Sequence, residues 1–144
     1  MEKILSKIEP YAEIGLRWSL GLVFVWFGIL KLFSVSPVED VIKQSLPVVF
    51  GTSQSFFFLL SVLEILIGIG FFMKRLVKLA ALVMIIHLLA ATTAVIVSQG
   101  FDPRFPILSL EGEFVLKNLV FIAIAIVILT KKETKEPLIV DEEK

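Results

Sequence analysis

Glu64 and His87 are the two residues whose types and positions most invite chemistry. Each sits near the middle of a long apolar stretch. The two stretches are joined only by a short Lys74-Arg75 turn. Counted outward from that turn, Glu64 lies about ten residues back and His87 about twelve forward, so an antiparallel helical hairpin brings them to similar depth. Ionisable groups at that depth are costly in lipid and face a bundle interior or a polar cavity. A carboxyl and an imidazole in contact can relay a proton or form the polar end of a pocket for a lipid-soluble ligand such as a quinone. The same pair can equally act as interhelical glue.

A second pattern runs along the first apolar stretch. Arg17, Gly21, Phe24, Gly28 and Lys31 follow i, i+4, i+7, i+11 and i+14, one stripe of a helix. The glycines mark where another helix or a flat ligand can approach closely. Arg17 and Lys31 bracket the stripe and can snorkel to headgroups or serve the site. Trp26 is placed to line the core or a cavity, and Trp18 to join an aromatic belt. Lys117 and Asn118 open the fourth apolar stretch. Lys31, Glu113 and Lys117 are expected to form a polar network over the bundle, or Glu113 and Lys117 to pair at i,i+4 spacing. Gly68 and Gly70 suggest close packing below Glu64, and Thr92 and Thr93 can bond their own helix. The candidate ligand-binding set is therefore Arg17, Gly21, Trp26, Gly28, Lys31, Glu64, His87, Lys117 and Asn118. The ligand class is a quinone or another lipid-like molecule.

The elements that must position these residues follow from composition. The chain has 144 residues, 57% of them hydrophobic and 19% charged, with thirteen Phe. The mean hydropathy is +0.93. A soluble domain is about 45–50% apolar and about 25% charged, so a soluble helical bundle of this composition would expose large apolar patches. Four segments, at 15–33, 56–73, 76–97 and 114–130, have the length needed to cross about 30 Å of hydrocarbon at 1.5 Å per residue. Lys117 and Asn118 make the fourth the weakest, with a re-entrant or interfacial segment as its alternative. Only helices satisfy the backbone in such spans. The expected fold is all-α, a single-domain integral membrane four-helix bundle.

Fourteen basic residues balance fourteen acidic ones, and no basic cluster resembles a nucleic-acid footprint. The chain contains no Cys, which excludes thiol chemistry and iron–sulfur ligation by its own residues. With a single His, no metal site is expected. The acidic residues Glu2, Glu9 and Glu13 argue against a signal peptide, so the first segment is expected to stay as a span. Lys3, Lys7, Arg17, Lys74, Arg75, Lys78, Lys131, Lys132, Lys135 and Lys144 fall on one side, and Lys31, Lys43, Arg104 and Lys117 on the other. That asymmetry predicts cytoplasmic termini and a multi-pass protein of the cell's inner membrane. Ser36, Pro37 and Glu39 predict a short surface helix over 37–45. Pro103 and Pro106 stiffen an outer loop around Arg104, and 131–144 reads as a short disordered tail. Expected partners are membrane lipid and either a protein partner or further copies of the chain.

The stretch EIGLRWSLGLVFVWFGILKLF, the later SVLEILIGIG and the final EGEFVLKNLVFIAIA together resemble the DoxX-like superfamily of small membrane proteins. The first span with its following SP, and the late G-F-LKN, are most similar to the YkgB and RclC branch. Where the family pattern often has Asp after the Lys of the fourth span, this chain has Asn118. The resemblance implies a compact four-helix membrane bundle. It also implies a role near membrane redox or oxidative-stress defence, in quinone-dependent chemistry for some members and in assembly for others. It transfers no reaction, and an enzymatic role stays open. The function classes that follow are a quinone- or lipid-binding redox subunit, a scaffold or assembly factor, and a small-solute or ion permease.

Overall fold

The computed structural model describes residues 2–36, 54–99 and 110–131, and these form four helices. They are α1 (Glu2–Leu32), α2 (Gln54–Phe72), α3 (Val77–Gln99) and α4 (Leu110–Thr130). All four are long and apolar enough to cross a membrane: Tyr11–Leu32, Ser55–Phe72, Val77–Val97 and Gly112–Thr130. The expected surface helix at 37–45, the loop around Arg104 and the tail beyond 131 lie outside the described residues.

The largest difference from expectation is the start of α1. The helix begins at Glu2 and runs through Pro10, although Pro10 cannot donate the bond that an interior position normally makes. Its 31 residues extend about 46 Å, well beyond a hydrocarbon core of about 30 Å.

The other end of α1 closes on a Schellman motif. Val35 N–H donates to Leu30 O at 3.0 Å and Ser34 N–H to Lys31 O at 3.1 Å. Ser34 takes φ 54°, the left-handed conformation this cap requires. Glycine usually fills that position, so the sequence carried no signal for it. The cap fixes the final turn of α1, which carries Lys31.

Between α2 and α3 the chain reverses over four residues, with Leu76 N–H donating to Met73 O at 3.0 Å. Gly70 lets α3 close in, since a Cβ there would lie 2.8 Å from the Cβ of Ala80. The closest approach of all is between α1 and α2. A Cβ on Gly21 would meet Gly68 O at 2.9 Å, and one on Gly68 would meet Gly21 O at 2.7 Å. Seven residues along each helix, a Cβ on Gly28 would fall 2.8 Å from Ser61 O. Small residues at seven-residue spacing thus let the two backbones touch, which is how membrane helices gain packing without a hydrophobic driving force.

Inside the bundle Leu20, Phe24, Ile67, Phe71, Met84, Leu88, Ala125 and Ile128 form the core. Phe24 reaches across to Phe121, with ring centroids 5.9 Å apart, so α4 packs back toward α1. The outside is also apolar, with Leu22, Phe58, Leu59 and Ile86 each more than 60% exposed. An apolar exterior around an apolar interior is the pattern of helices solvated by lipid.

Lys131 donates to Glu13 Oε2 at 2.6 Å, so the start of the first span and the end of α4 lie on the same side. Both side chains are about 40% exposed. Removing that pair with Glu13→Gln is expected to change stability by less than about 1 kcal/mol in a detergent unfolding titration.

Candidate functional site

The seam between α1 and α2 decides where the polar site forms. With Gly28 against Ser61 and Ile65, the final turn of α1 stands beside the N-terminal half of α2. Lys31 then reaches toward the membrane centre and forms an ion pair with Glu64 through Oε1. The same oxygen lies 2.9 Å from His87 Nε2 on α3. An ammonium has donors only, so Oε1 accepts from Lys31, and with Glu64 as the carboxylate it accepts from His87 Nε2 as well. Glu64 is 5% exposed and His87 8%. Three helices therefore each contribute one residue to a buried Lys31–Glu64–His87 cluster. The Phe24 ring packs against the imidazole, with centroids 6.4 Å apart.

The other carboxylate oxygen is different. Glu64 Oε2 is fully buried and has no hydrogen-bond partner among the described residues. A buried acceptor left unpaired costs about 1–3 kcal/mol, more when charged. One oxygen is thus doubly satisfied while its neighbour lacks any donor.

The expected Lys31–Glu113–Lys117 network does not form among the described residues. Lys31 turns inward to Glu64. Lys117 lies between aromatic faces, 3.7 Å from the Phe114 ring centroid and 4.5 Å from that of Phe27. Glu113 stays on an exposed face. The physical reason is relative magnitude. An i,i+4 pair contributes a few tenths of a kcal/mol, whereas Lys31 compensates a buried charge and half-buried Lys117 gains on the order of 1 kcal/mol from its cation–π contacts. At this depth two lysines stand against one carboxylate.

Asn118 donates from Nδ2 to Thr92 Oγ1 at 3.1 Å, tying α4 to α3. Thr93 bonds its own helix through Leu89 O at 2.8 Å, as expected, while Thr92 serves a neighbour instead. Gly21 and Gly28 belong to the α1–α2 seam, and the space that could have admitted a flat ligand is filled by α2. Trp26 is 57% exposed and lies outside the core. With Leu22, Val23 and Phe27 it lines a shallow apolar groove of about 230 Å³ on α1, and no residue of the Glu64 cluster borders that groove. Arg17 lies midway along α1 beside the C-terminal end of α2, 8% exposed, and donates from Nη2 to Phe71 O at 3.3 Å. It does not snorkel outward, and it does not share the Glu64 cluster.

The approach of Glu64 to His87 was legible from their similar distances to the turn. The approach of Lys31 was not, although Gly28 and Ser61 three residues before each partner were a usable sign.

A family model described as DoxX matches residues 13–98. No curated protein and no solved structure matches the chain. The matched region holds the first three spans, the glycine seam and all three members of the Lys31–Glu64–His87 cluster. It ends before the LKN of α4, on which the resemblance to the YkgB and RclC branch partly rests. The match spans more than half of the 144 residues, and together with four apolar helices packed as a bundle it shows that the chain belongs to the DoxX family.

Proposed function

We propose that this DoxX-family protein is a redox-associated subunit of the cell's inner membrane that binds a lipid-soluble quinone in its reduced, hydroxyl-bearing form at Glu64. One observation carries the reading: Glu64 Oε2 is a buried acceptor with no donor among the described residues. A quinone carbonyl is itself an acceptor and does not suit that oxygen, whereas a quinol hydroxyl does. Lys31 and His87 hold the carboxylate in place from the opposite side through Oε1. Lys117, set on aromatic faces nearby, adds a positive charge that favours electron-rich headgroups. When bound, the quinol supplies the electron and proton chemistry, and the chain's own part is to bind and orient it. The chain has no Cys, so electrons would pass to a partner protein, in keeping with a role in oxidative-stress defence.

The reading is tested by purifying the protein in mild detergent, extracting with organic solvent and quantifying quinones by chromatography. Wild type is expected to carry quinone above the level of bulk membrane lipid. Glu64→Gln is expected to lose it, because the amide offers one donor group where the carboxylate had only acceptors. Equal, background quinone in both proteins would sink the proposal.

A scaffold reading is favoured by a different observation, that Oε1 alone joins α1, α2 and α3. Under it a water satisfies Oε2 in a closed bundle, and activity survives joint apolar replacement of the cluster.

A further inference from the structure

The Lys74–Arg75 end of the bundle holds a cation that no carboxylate neutralises among the described residues. Arg17 is 8% exposed, and its buried Nε has no hydrogen-bond partner among them. Only Phe71 O accepts from it among the described residues, at 3.3 Å. That carbonyl is one of the last four of α2, which have no partner within the helix. Its partial negative charge offsets part of a full positive charge but not all of it. Glu13, one helical turn from Arg17, is already engaged by Lys131 at 2.6 Å.

Two further cations follow closely on the α2 end that Arg17 caps. Lys74 and Arg75 follow Phe71 by three and four residues, in the exposed turn between α2 and α3. No carboxylate pairs with either among the described residues. Trp18, adjacent to Arg17, is 58% exposed and packs edge-on against Phe72 with ring centroids 5.7 Å apart. An exposed indole near a span end marks the headgroup layer. A guanidinium whose Nε finds no acceptor among the described residues, two cations in the turn that follows Phe71, and an exposed indole at the same end together describe a site for a phosphate.

We propose that Arg17, Lys74 and Arg75 bind the phosphate of an anionic phospholipid at this end of the bundle. The planar fork of Arg17 offers the directional donors that phosphate geometry takes bidentately. Lys74 and Arg75 add charge from the turn, in the manner of basic pockets at helix ends that hold anionic headgroups. A lipid is the natural source, because the bilayer holds phosphate permanently at this depth. The site is separate from Glu64, which lies seven residues, about two helical turns, before Phe71 on α2.

The test compares thermal unfolding and native mass spectra of the detergent-purified protein with added phosphatidylglycerol, phosphatidylcholine or inorganic phosphate. Phosphatidylglycerol is expected to raise Tm more than phosphatidylcholine and to persist as an adduct. Arg17→Gln is expected to abolish that preference, and Lys74→Gln with Arg75→Gln to weaken phosphatidylglycerol binding by about fivefold per cation removed. Arg17→Gln also loses a carbonyl cap, so if it fails to fold, the exposed turn variant decides. Glu64→Gln is expected to keep the preference, which separates this site from the quinol site. Equal shifts with the two lipids overturn the proposal, as does full preference in a folded Arg17→Gln protein or in the turn variant. An equal shift with inorganic phosphate overturns the lipid as the source.

Discussion

Replacing Glu64 with Leu while Lys31 and His87 remain is expected to destabilise the bundle by about 3 kcal/mol or more. The change leaves an ammonium buried without its counter-charge, and breaking a buried pair from one side costs far more than the pair contributes. Lys31 is part of the last turn of α1 and its side chain is directed at Glu64, so it can escape only by leaving the seam. The informative comparison is the combined variant Lys31→Met, Glu64→Leu, His87→Leu. With all three charged or polar groups gone, no unpaired group is left, and stability is expected to return to within about 1 kcal/mol of wild type. Unfolding in mixed detergent micelles measures both. A single Glu64→Leu variant as stable as wild type would mean that the cluster is not buried in the membrane-embedded protein. The combined variant also divides the functional readings. A scaffold would keep its activity, whereas a quinol site would lose its ligand although the fold recovers.

Gly68→Ala is expected to cost about 1–3 kcal/mol, the range for overpacking a filled contact. The new Cβ would lie 2.7 Å from Gly21 O and 2.7 Å from Val25 N. Both are backbone atoms of α1, so no side chain can rotate aside and the helices must separate. Separation also draws Lys31 away from Glu64, and the loss should therefore couple to the first prediction in a double-mutant cycle. Gly15→Ala is the control. No atom lies within 4 Å of a Cβ there, so its effect is expected to stay within a few tenths of a kcal/mol in the same titration. Equal effects at the two glycines would contradict the seam.

Four spans were readable from the sequence because lipid imposes a simple rule. Any segment that crosses hydrocarbon must be apolar and about 20 residues long, and each of the four announces itself locally. The meeting of Glu64 and His87 was readable for a related reason: a four-residue turn leaves an antiparallel hairpin little freedom of register. Lys31 was a different case. Its distance from the nearest span end predicts an outward course, and its inward course depends on a Ser34 cap and on how deeply α1 slides along α2. Arg17 likewise looked like an anchor from its position, and became a buried donor once the end of α2 was placed beside it.

By itself, then, the sequence determined that this chain lives in a membrane as a helical bundle, with Glu64 and His87 at one depth. Burial in lipid is a property of local composition, so no tertiary knowledge was required. Tertiary structure alone decided which oxygen of Glu64 is satisfied, which cation satisfies it, and which donors of Arg17 are left over. Those are questions of a few ångströms between residues 23 to 54 positions apart. They are settled by helix register and by the contact of two glycine-lined backbones, and neither is encoded in any single span.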